Sequence, residues 1–245
     1  MSASRRFAAY VAHELRTPIA LQLALAEATL ADPRADGIAW RAMAEGIVAG
    51  CEQQRRLIEA LLDLTCGQHG LTRDEPVDIA VIASAVLHAR EVSDLDTVVD
   101  LGPAVTTGDA TLLERLIANL VSNAIGHNVP RGRIEVLTRS DAGRALLSVA
   151  STGPVIPPCE LQRLFRPFER LGSQPHGCAD GRGLGLGLAI VQSIADAHNA
   201  PITARAPAAG GLEIEVSFPA VVCATSWLPM APLSSRIVST SRSMW

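Results

Sequence analysis

A seven-residue repeat in residues 38 to 65 constrains the N-terminal part of this chain more than any other sequence feature. Its positions follow one another at alternating steps of four and three residues, and most of them are apolar. This spacing is typical of a helix that packs lengthwise on another helix, in a coiled coil or an antiparallel bundle. The repeat comprises Met43, Ile47, Gly50, Gln54, Leu57, Leu61 and Leu64.

A partner for this helix precedes it in the chain. Residues 4 to 31 are compatible with helix except at Pro18, and the sequence DPRADG at 32 to 37 is typical of a turn. Because proline removes a backbone hydrogen bond, the first helix either ends or bends at Pro18. Two helices alone bury too little apolar surface, so we expect the hairpin to dimerise into a four-helix bundle.

The sequence pattern changes after residues 67 to 76, GQHGLTRDEP, which are typical of a linker. Beyond them, segments with helical and strand-like patterns predict an α+β domain, a sheet with helices on one face. We expect the last residues, 220 to 245, to form a poorly ordered tail. Helices are predicted at 78–92, 109–127, 158–165 and 186–198, and strands near 97–101, 105–107, 133–139, 144–150, 201–206 and 212–218.

Charge and composition exclude several classes of protein. The net charge is −4 and no block of like charge occurs, which argues against a basic surface for nucleic acid. No apolar window is long enough to span a bilayer, and the N-terminus lacks the pattern of a signal peptide. The five cysteines are scattered and form no C-x-x-C pair, so we expect reduced thiols in a cytoplasmic protein.

A glycine-rich stretch, DGRGLGLGLAIVQSIADAH at residues 180 to 198, is the strongest local signal of a ligand site. Gly181, Gly183, Gly185 and Gly187 alternate with other residues just before an apolar helix. Glycines let backbone N–H groups approach a phosphate closely, and a helix N-terminus adds partial positive charge. The stretch therefore indicates a polyphosphate cradle, although a flexible surface loop remains an alternative.

Two further stretches could complete a nucleotide site. In LLERLIANLVSNAIGHN, residues 112 to 128, Asn119, Asn123 and His127 recur every four residues and share one helix face. Amides in this position could hold a hydrated magnesium ion and phosphate oxygens, or they could serve only in capping and core networks. In VASTGPVIP, residues 149 to 157, a strand ends in a turn against which a nucleotide base could lie, although an ordinary turn explains it equally.

In this order, the motifs resemble those of bacterial two-component sensor histidine kinases, over about residues 1 to 219. VAHELRTPI at 11 to 19 resembles the H box of that family, and residues 112 to 128 resemble its N box. The remaining matches are VASTGPVIP to the first glycine box, LFRPFERL at 164 to 171 to the F box, GRGLGLGLAIV at 181 to 191 to the second glycine box, and Gly210-Gly211-Leu212 to a last glycine pair.

The resemblance implies an architecture as well as an activity. It implies an all-α helical-hairpin dimerisation domain, which forms a four-helix bundle as a dimer, followed by an α+β ATP-binding sandwich of the Bergerat (GHKL) type. The dimerisation and phosphotransfer domain would cover residues 1–68, a linker 69–76, and the catalytic domain 77–219. A sensor N-terminal to such a chain could be bound to a membrane.

In this family a histidine of the first helix accepts the γ-phosphoryl group of ATP and passes it to an aspartate of a response regulator. The resemblance assigns this role to His13. It implies that Glu14 pairs with the other ring nitrogen or takes its proton. Thr17 would orient water for dephosphorylation of the partner, a second activity. Pro18 would bend the helix just beyond the reactive turn.

The resemblance also implies an ATP and magnesium site. Asn123 would be the magnesium ligand, and Asn119 would contact the phosphates or their proton relay. Residues 171 to 182 would form a lid over ATP. Phe165 and Phe168 would anchor the near end of the lid or simply pack in the core. The implied nucleotide-binding set is Asn119, Asn123, His127, Ser151, Gly153, Gly183, Leu184, Gly185, Gly187 and Leu188.

Three departures from the family pattern bear on the strength of ATP binding. Ser151 stands where the family has an aspartate that accepts a hydrogen bond from the adenine amino group, and a neutral bond is weaker than a charge-assisted one. Val155 replaces a glycine, and Gly126 replaces a basic residue. They keep open an alternative, a catalytically weak pseudokinase or scaffold that binds a response regulator. A related ATPase such as an anti-sigma serine kinase is disfavoured, because such proteins lack the histidine bundle.

Overall fold

The structure is a computed structural model that describes residues 3–66, 75–90, 94–169 and 185–221. The chain divides into two compact units, with the boundary between Leu62 and Asp63. No helix among the described residues is long and apolar enough to cross a membrane. Free thiols are exposed at Cys51 and Cys159.

The first unit is a helical hairpin built from α1 (Ala3–Ala31) and α2 (Gly37–Cys66), whose last turn lies beyond the unit boundary. The hairpin expected from the sequence is confirmed. Pro18 lies inside α1 and does not end it. The connecting turn ends at Asp36, whose carboxylate accepts hydrogen bonds from the backbone N–H groups of Ile38 and Ala39 and so caps α2.

A polar contact joins the two helices where α2 carries glycine. The amide nitrogen of Gln22 donates to the carbonyl oxygen of Ile47 at 3.1 Å. A Cβ atom at Gly50 would lie 2.5 Å from that amide nitrogen, and one at Gly46 would lie 3.0 Å from a methyl carbon of Leu25. The two glycines therefore let α1 approach α2 closely, which explains why the apolar repeat is interrupted at position 50.

The second unit is an α+β domain, as the sequence predicts. The elements are β1 (Glu75–Asp78), α3 (Ile79–His88), β2 (Asp96–Leu101), β3 (Val105–Gly108), α4 (Ala110–Gly126), β4 (Arg133–Asp141), β5 (Arg144–Ser151), a short 3-10 helix (Pro158–Phe165), α5 (Gly187–Ala197), β6 (Ile202–Arg205) and β7 (Leu212–Pro219). The main sheet has the strand order β2-β4-β5-β7-β6, in which only the β2–β4 pair is parallel.

The core of this unit lies between the main sheet and the helices. Alternate residues of β7 are buried, and so are alternate residues of β4, which is the pattern of strands with one covered face. The central helix, α4, packs on α3, α5 and β5. Its buried residues are Leu112, Leu113, Leu116, Ile117, Leu120, Val121 and Ala124.

The sequence does not predict β1, because Glu75 and Pro76 are part of a segment that is typical of a linker. In the structure these residues begin β1, which pairs antiparallel with β3, so that Glu75 lies opposite Gly108. This pairing joins residues that are distant in sequence. The carboxylate of Asp78 then caps α3 by accepting from the Ala80 N–H, and it also accepts from the Ala104 N–H.

A buried histidine connects the N-terminus of α4 to the C-terminus of α5. His198, 3 % exposed, accepts at Nε2 from the backbone N–H of Asp109, the residue that caps α4, at 3.2 Å. Its Nδ1 lies 2.8 Å from the carbonyl oxygen of Ile194 in α5. Because the carbonyl can only accept and the N–H can only donate, the ring is neutral with its proton on Nδ1.

We expect His198→Ala to lower the free energy of unfolding by about 2–4 kcal/mol, because it leaves a cavity and an unpaired N–H. His88→Ala is the matched control. His88 also contacts the carbonyl of the residue four positions earlier but is exposed, so its replacement should change the free energy of unfolding by less than about 0.5 kcal/mol. Urea unfolding followed by circular dichroism measures both values, and equal effects would contradict the buried clamp.

Candidate functional site

The two asparagines singled out in the sequence lie on α4, and Asn119 lies near the start of α5. The amide nitrogen of Asn119 donates to the carbonyl of Arg115 at 2.8 Å, and a Cβ atom at Gly187 would lie 3.3 Å from the amide oxygen of Asn119. Gly187 is the first residue of α5. The structure therefore brings Asn119 to the N-terminus of the helix that follows the glycine-rich stretch.

The N-terminus of α5 has the features of an anion site. The residue that precedes the helix, Leu186, offers no side-chain hydrogen bond to the first turn. The free N–H groups of that turn carry partial positive charge. Gly185 adopts a φ of 70°, a value that favours glycine. The side chain of Leu188, in the first turn of α5, is buried in the core. Gly183 and Leu184 lie outside the described residues, as do residues 171 to 182.

An apolar slot lies between α4 and the sheet, with one polar side chain from each. Asn123 contributes from α4, and Ser151, the last residue of β5, contributes from the sheet. Ser151 lies on the same face of β5 as the buried Val149, because residues two apart along a strand share a face. The remaining lining residues are Leu120, Ala124, Leu212 and Ile214.

The turn after β5 is closed by two glycines that directly precede β7. A Cβ atom at Gly211 would lie 2.1 Å from the carbonyl oxygen of Ser151, and one at Gly210 would lie 2.3 Å from that of Gly153. Both glycines have positive φ, 93° at Gly210 and 101° at Gly211. The N–H of Gly211 donates to the carbonyl of Pro154 at 3.0 Å. This close backbone contact fixes the end of the slot.

A side-chain network that the sequence analysis missed holds the other side of this turn. The hydroxyl of Thr152 donates to the amide oxygen of Asn128 at 2.6 Å and accepts from the N–H of Arg133 at 2.7 Å. The amide nitrogen of Asn128 donates to the carbonyl of Ala124 at 3.1 Å. Both residues lie within recognised motifs, but only their contact shows that they link the end of α4 to the turn. His127, exposed and adjacent, caps α4.

The segment after the 3-10 helix is attached to the glycine-rich stretch. The backbone N–H of Phe168 donates to the carbonyl of Gly185 at 2.9 Å, and Phe165 and Phe168 are half-buried. Arg163 donates to the carboxylate of Glu169 at 2.8 Å. This hydrogen bond holds the pKa of Glu169 below its ordinary value and raises the pKa of Arg163.

His13, the residue expected to carry the phosphoryl group, lies on α1 of the first unit and is exposed. The hydroxyl of Thr17 donates to the backbone carbonyl of His13 at 3.2 Å, and so does not engage the imidazole. Glu14, the next residue along the helix, is half-buried. The imidazole is therefore accessible to an incoming group.

Comparison with protein families gives matches in both units. Residues 3–70 match the His Kinase A (phospho-acceptor) domain, which includes His13. Residues 108–222 match the family described as histidine kinase-, DNA gyrase B-, and HSP90-like ATPase, which includes α4, the slot and α5.

Two relatives are similar over most of this chain. Sensor protein CutS of Streptomyces coelicolor is 37 % identical over 223 residues, which are 89 % of this chain and 53 % of the relative. The sensor-like histidine kinase SenX3 of Mycobacterium tuberculosis is 33 % identical over 231 residues, 91 % of this chain and 55 % of the relative. The chain thus spans about half the length of these relatives.

Solved structures agree with this grouping. The mycobacterial sensor histidine kinase MprB is 33 % identical, covers 60 % of this chain and 97 % of its own, and has a TM-score of 0.51. The Acinetobacter baumannii histidine kinase AdeS, 22 % identical, shares the fold over 84 % of this chain and 97 % of its own with a TM-score of 0.64. The chain therefore belongs to the sensor histidine kinases of two-component systems.

Proposed function

We propose that this chain is an ATP-dependent protein-histidine kinase that phosphorylates His13 and transfers the phosphoryl group to an aspartate of a response regulator receiver domain. The observation that carries the proposal is the exposed His13 on a helix of the phospho-acceptor family. The apolar slot beside an uncapped helix N-terminus in the other unit supports it. The dimerisation and phosphotransfer domain would extend over residues 1–68 and the catalytic domain over 77–219.

The first step forms a phosphorus–nitrogen bond. A ring nitrogen of neutral His13 supplies the electron pair, while the bond between the γ-phosphorus and the bridging oxygen breaks and its electron pair leaves with ADP. The imidazolium that results loses the proton of its other ring nitrogen to Glu14 or to water. In the second step a carboxylate oxygen of the receiver aspartate attacks phosphorus. The phosphorus–nitrogen bond breaks with its electron pair on the ring nitrogen, and the departing imidazole regains a proton from Glu14 or from water.

The nucleotide would lie with its base in the apolar slot and its phosphates at the start of α5. Asn119, Gly185, Gly187 and the N–H groups of the first turn of α5 would hold the phosphates, as anions bind at helix N-termini. His127 would contact the nucleotide from the end of α4. Gly183 and Leu184 would complete the cradle, and residues 171 to 182 would form the lid.

The described residues contain no group of three or more His, Cys, Asp or Glu side chains that could hold a metal alone. The amide oxygen of Asn123 fits magnesium, which takes oxygen ligands and completes its shell with water and substrate phosphates. When bound, the ion would neutralise charge on the transferred phosphoryl group.

Thr17 supports a second activity toward the phosphorylated partner. Its hydroxyl lies one turn beyond His13 and is exposed, and release of its hydrogen bond to the His13 carbonyl would free it to orient a water molecule. That water would attack the aspartyl phosphate of the response regulator and release inorganic phosphate. The kinase would then also act as a phosphatase.

We expect incubation with γ-labelled ATP and magnesium to give acid-labile, base-stable label on the parent chain. His13→Ala should carry no label, because the nucleophile is lost. Asn123→Ala should be slowed about 100-fold or more. His88→Ala, which replaces another exposed histidine, should be labelled like the parent. Label that persists in His13→Ala would refute the assigned nucleophile. An unlabelled parent that still binds ATP would instead favour the scaffold alternative.

Gly211→Ala should weaken ATP binding about tenfold or more, because the new Cβ would collide with the Ser151 carbonyl and displace the slot. Gly143→Ala is the matched control: Gly143 also has positive φ, at 75°, but no atom lies within 4 Å of its Cβ position. It should therefore bind ATP normally. Calorimetric titration with a non-hydrolysable ATP analogue measures both, and equal losses would mean that backbone strain, not the contact, matters.

The apolar surface of α1 supports a homodimer. Ile19, Leu23 and Leu30 lie on one stripe of the helix and are 54 %, 57 % and 70 % exposed. We expect light scattering to give twice the chain mass of 25.8 kDa, and Leu23→Lys to shift the protein toward the monomer. Leu21→Lys, which alters an exposed leucine away from the stripe, should remain dimeric. A dimer that resists Leu23→Lys would contradict this interface.

A further inference from the structure

The polar group at the sheet side of the slot is a hydroxyl that has no partner among the residues that the structure describes. Ser151 is half-buried at the end of β5, and its hydroxyl forms no hydrogen bond with another described residue. Its backbone is fixed between β4 and β7, opposite Ile134 and Leu212. The hydroxyl is therefore held in place by the sheet yet remains available to a ligand.

The walls of the slot are apolar. Leu120 and Ala124 lie on the helix side, and Val149, Leu212 and Ile214 lie on the sheet side. None of these five side chains can form a hydrogen bond, so they cannot discriminate between similar bases. Among the side chains that line the slot, only Ser151, at the sheet side, and Asn123, which the proposed function assigns to magnesium, can form hydrogen bonds with a base.

A hydroxyl and a carboxylate make different demands on a purine ring. An ionised carboxylate only accepts, so it favours the 6-amino group of adenine and repels the 6-carbonyl oxygen of hypoxanthine or guanine. A serine hydroxyl can rotate and either accept or donate. It therefore pairs with a 6-amino group and with a 6-carbonyl group equally well.

We propose that Ser151 makes this kinase tolerant at position 6 of the purine, so that it uses 6-oxopurine nucleoside triphosphates as well as ATP. The proposal rests on the proposed function, because it assumes that the slot holds the base of the phosphoryl donor. It goes beyond that function by naming Ser151 as the residue that determines which nucleoside triphosphates serve as phosphoryl donors. A single substitution at Ser151 should therefore restrict the kinase to ATP.

The test compares the dissociation constants of ATP and ITP for the magnesium-supplemented chain by competition with a fluorescent ADP analogue. ITP differs from ATP only at the 6-position and N1 and lacks the 2-amino group of GTP, so it isolates the atoms that the proposal sets against the hydroxyl. The parent should bind the two within about threefold of each other. Ser151→Asp should prefer ATP by about tenfold or more, because it gains a charge-assisted bond to adenine and repels the oxygen of hypoxanthine.

Two further variants show whether the hydroxyl itself acts. Ser151→Ala should weaken ATP and ITP alike, and Ser148→Ala, on the same strand but outside the slot, should change neither. An ATP preference of tenfold or more in the parent would overturn the inference, as would unchanged affinities in Ser151→Ala. A parent that binds no nucleotide would refute the proposed function itself. Binding of both nucleotides without phosphohistidine would refute the kinase reaction and sustain the inference about the base.

Discussion

The packing of α4 between the sheet and α5 is the interaction on which the nucleotide site depends. Seven side chains of α4 are buried, and each fully buried aliphatic side chain contributes roughly 1.5–3 kcal/mol relative to exposure. This apolar face fixes the rotation of the helix. The rotation in turn sets Asn119 beside Gly187 and Asn123 in the slot. His198 adds a directional restraint at the other end of the same helix pair.

The backbone around the slot is as constrained as the helix above it. Gly210 and Gly211 approach the turn after β5 at distances that leave no room for any side chain. Asn128 and Thr152 hold that turn from the other side through a short hydrogen bond. A substitution of Ser151 would therefore leave the surrounding backbone in place. A change of side chain at this position alters the hydrogen bonds offered to a ligand more than it alters the shape of the slot.

Local pattern was enough to predict most elements of both units, because apolar periodicity reports which face of a helix or strand is buried. The helices α1, α2, α4 and α5 and the hairpin of β4 and β5 follow from such patterns. β1 could not be predicted, since its sequence EPVD has weak strand propensity and is stabilised by pairing with β3, some thirty residues away.

Some residues of the candidate site could likewise be predicted from the sequence, and others could not. Asn119 and Asn123 could be singled out, because amides within an apolar helix are conspicuous in sequence, whereas Ser151 was identified only through the resemblance to the kinase family. The bond between Asn128 and Thr152 joins residues 24 positions apart, and the structural role of His198 depends on Asp109, 89 positions away. Such contacts exist only after the chain has folded, so no local sequence pattern predicts them.

The contact between Gln22 and the gap at Gly50 has a mechanical consequence for the first unit. A slide of α1 along α2 by one helical turn, about 5.4 Å, would break the hydrogen bond to Ile47. In one direction it would move Leu25 from Gly46 to Ala42, which carries a Cβ atom where Gly46 leaves space. The hydrogen bond and the two close glycine contacts therefore fix the register of α1 on α2.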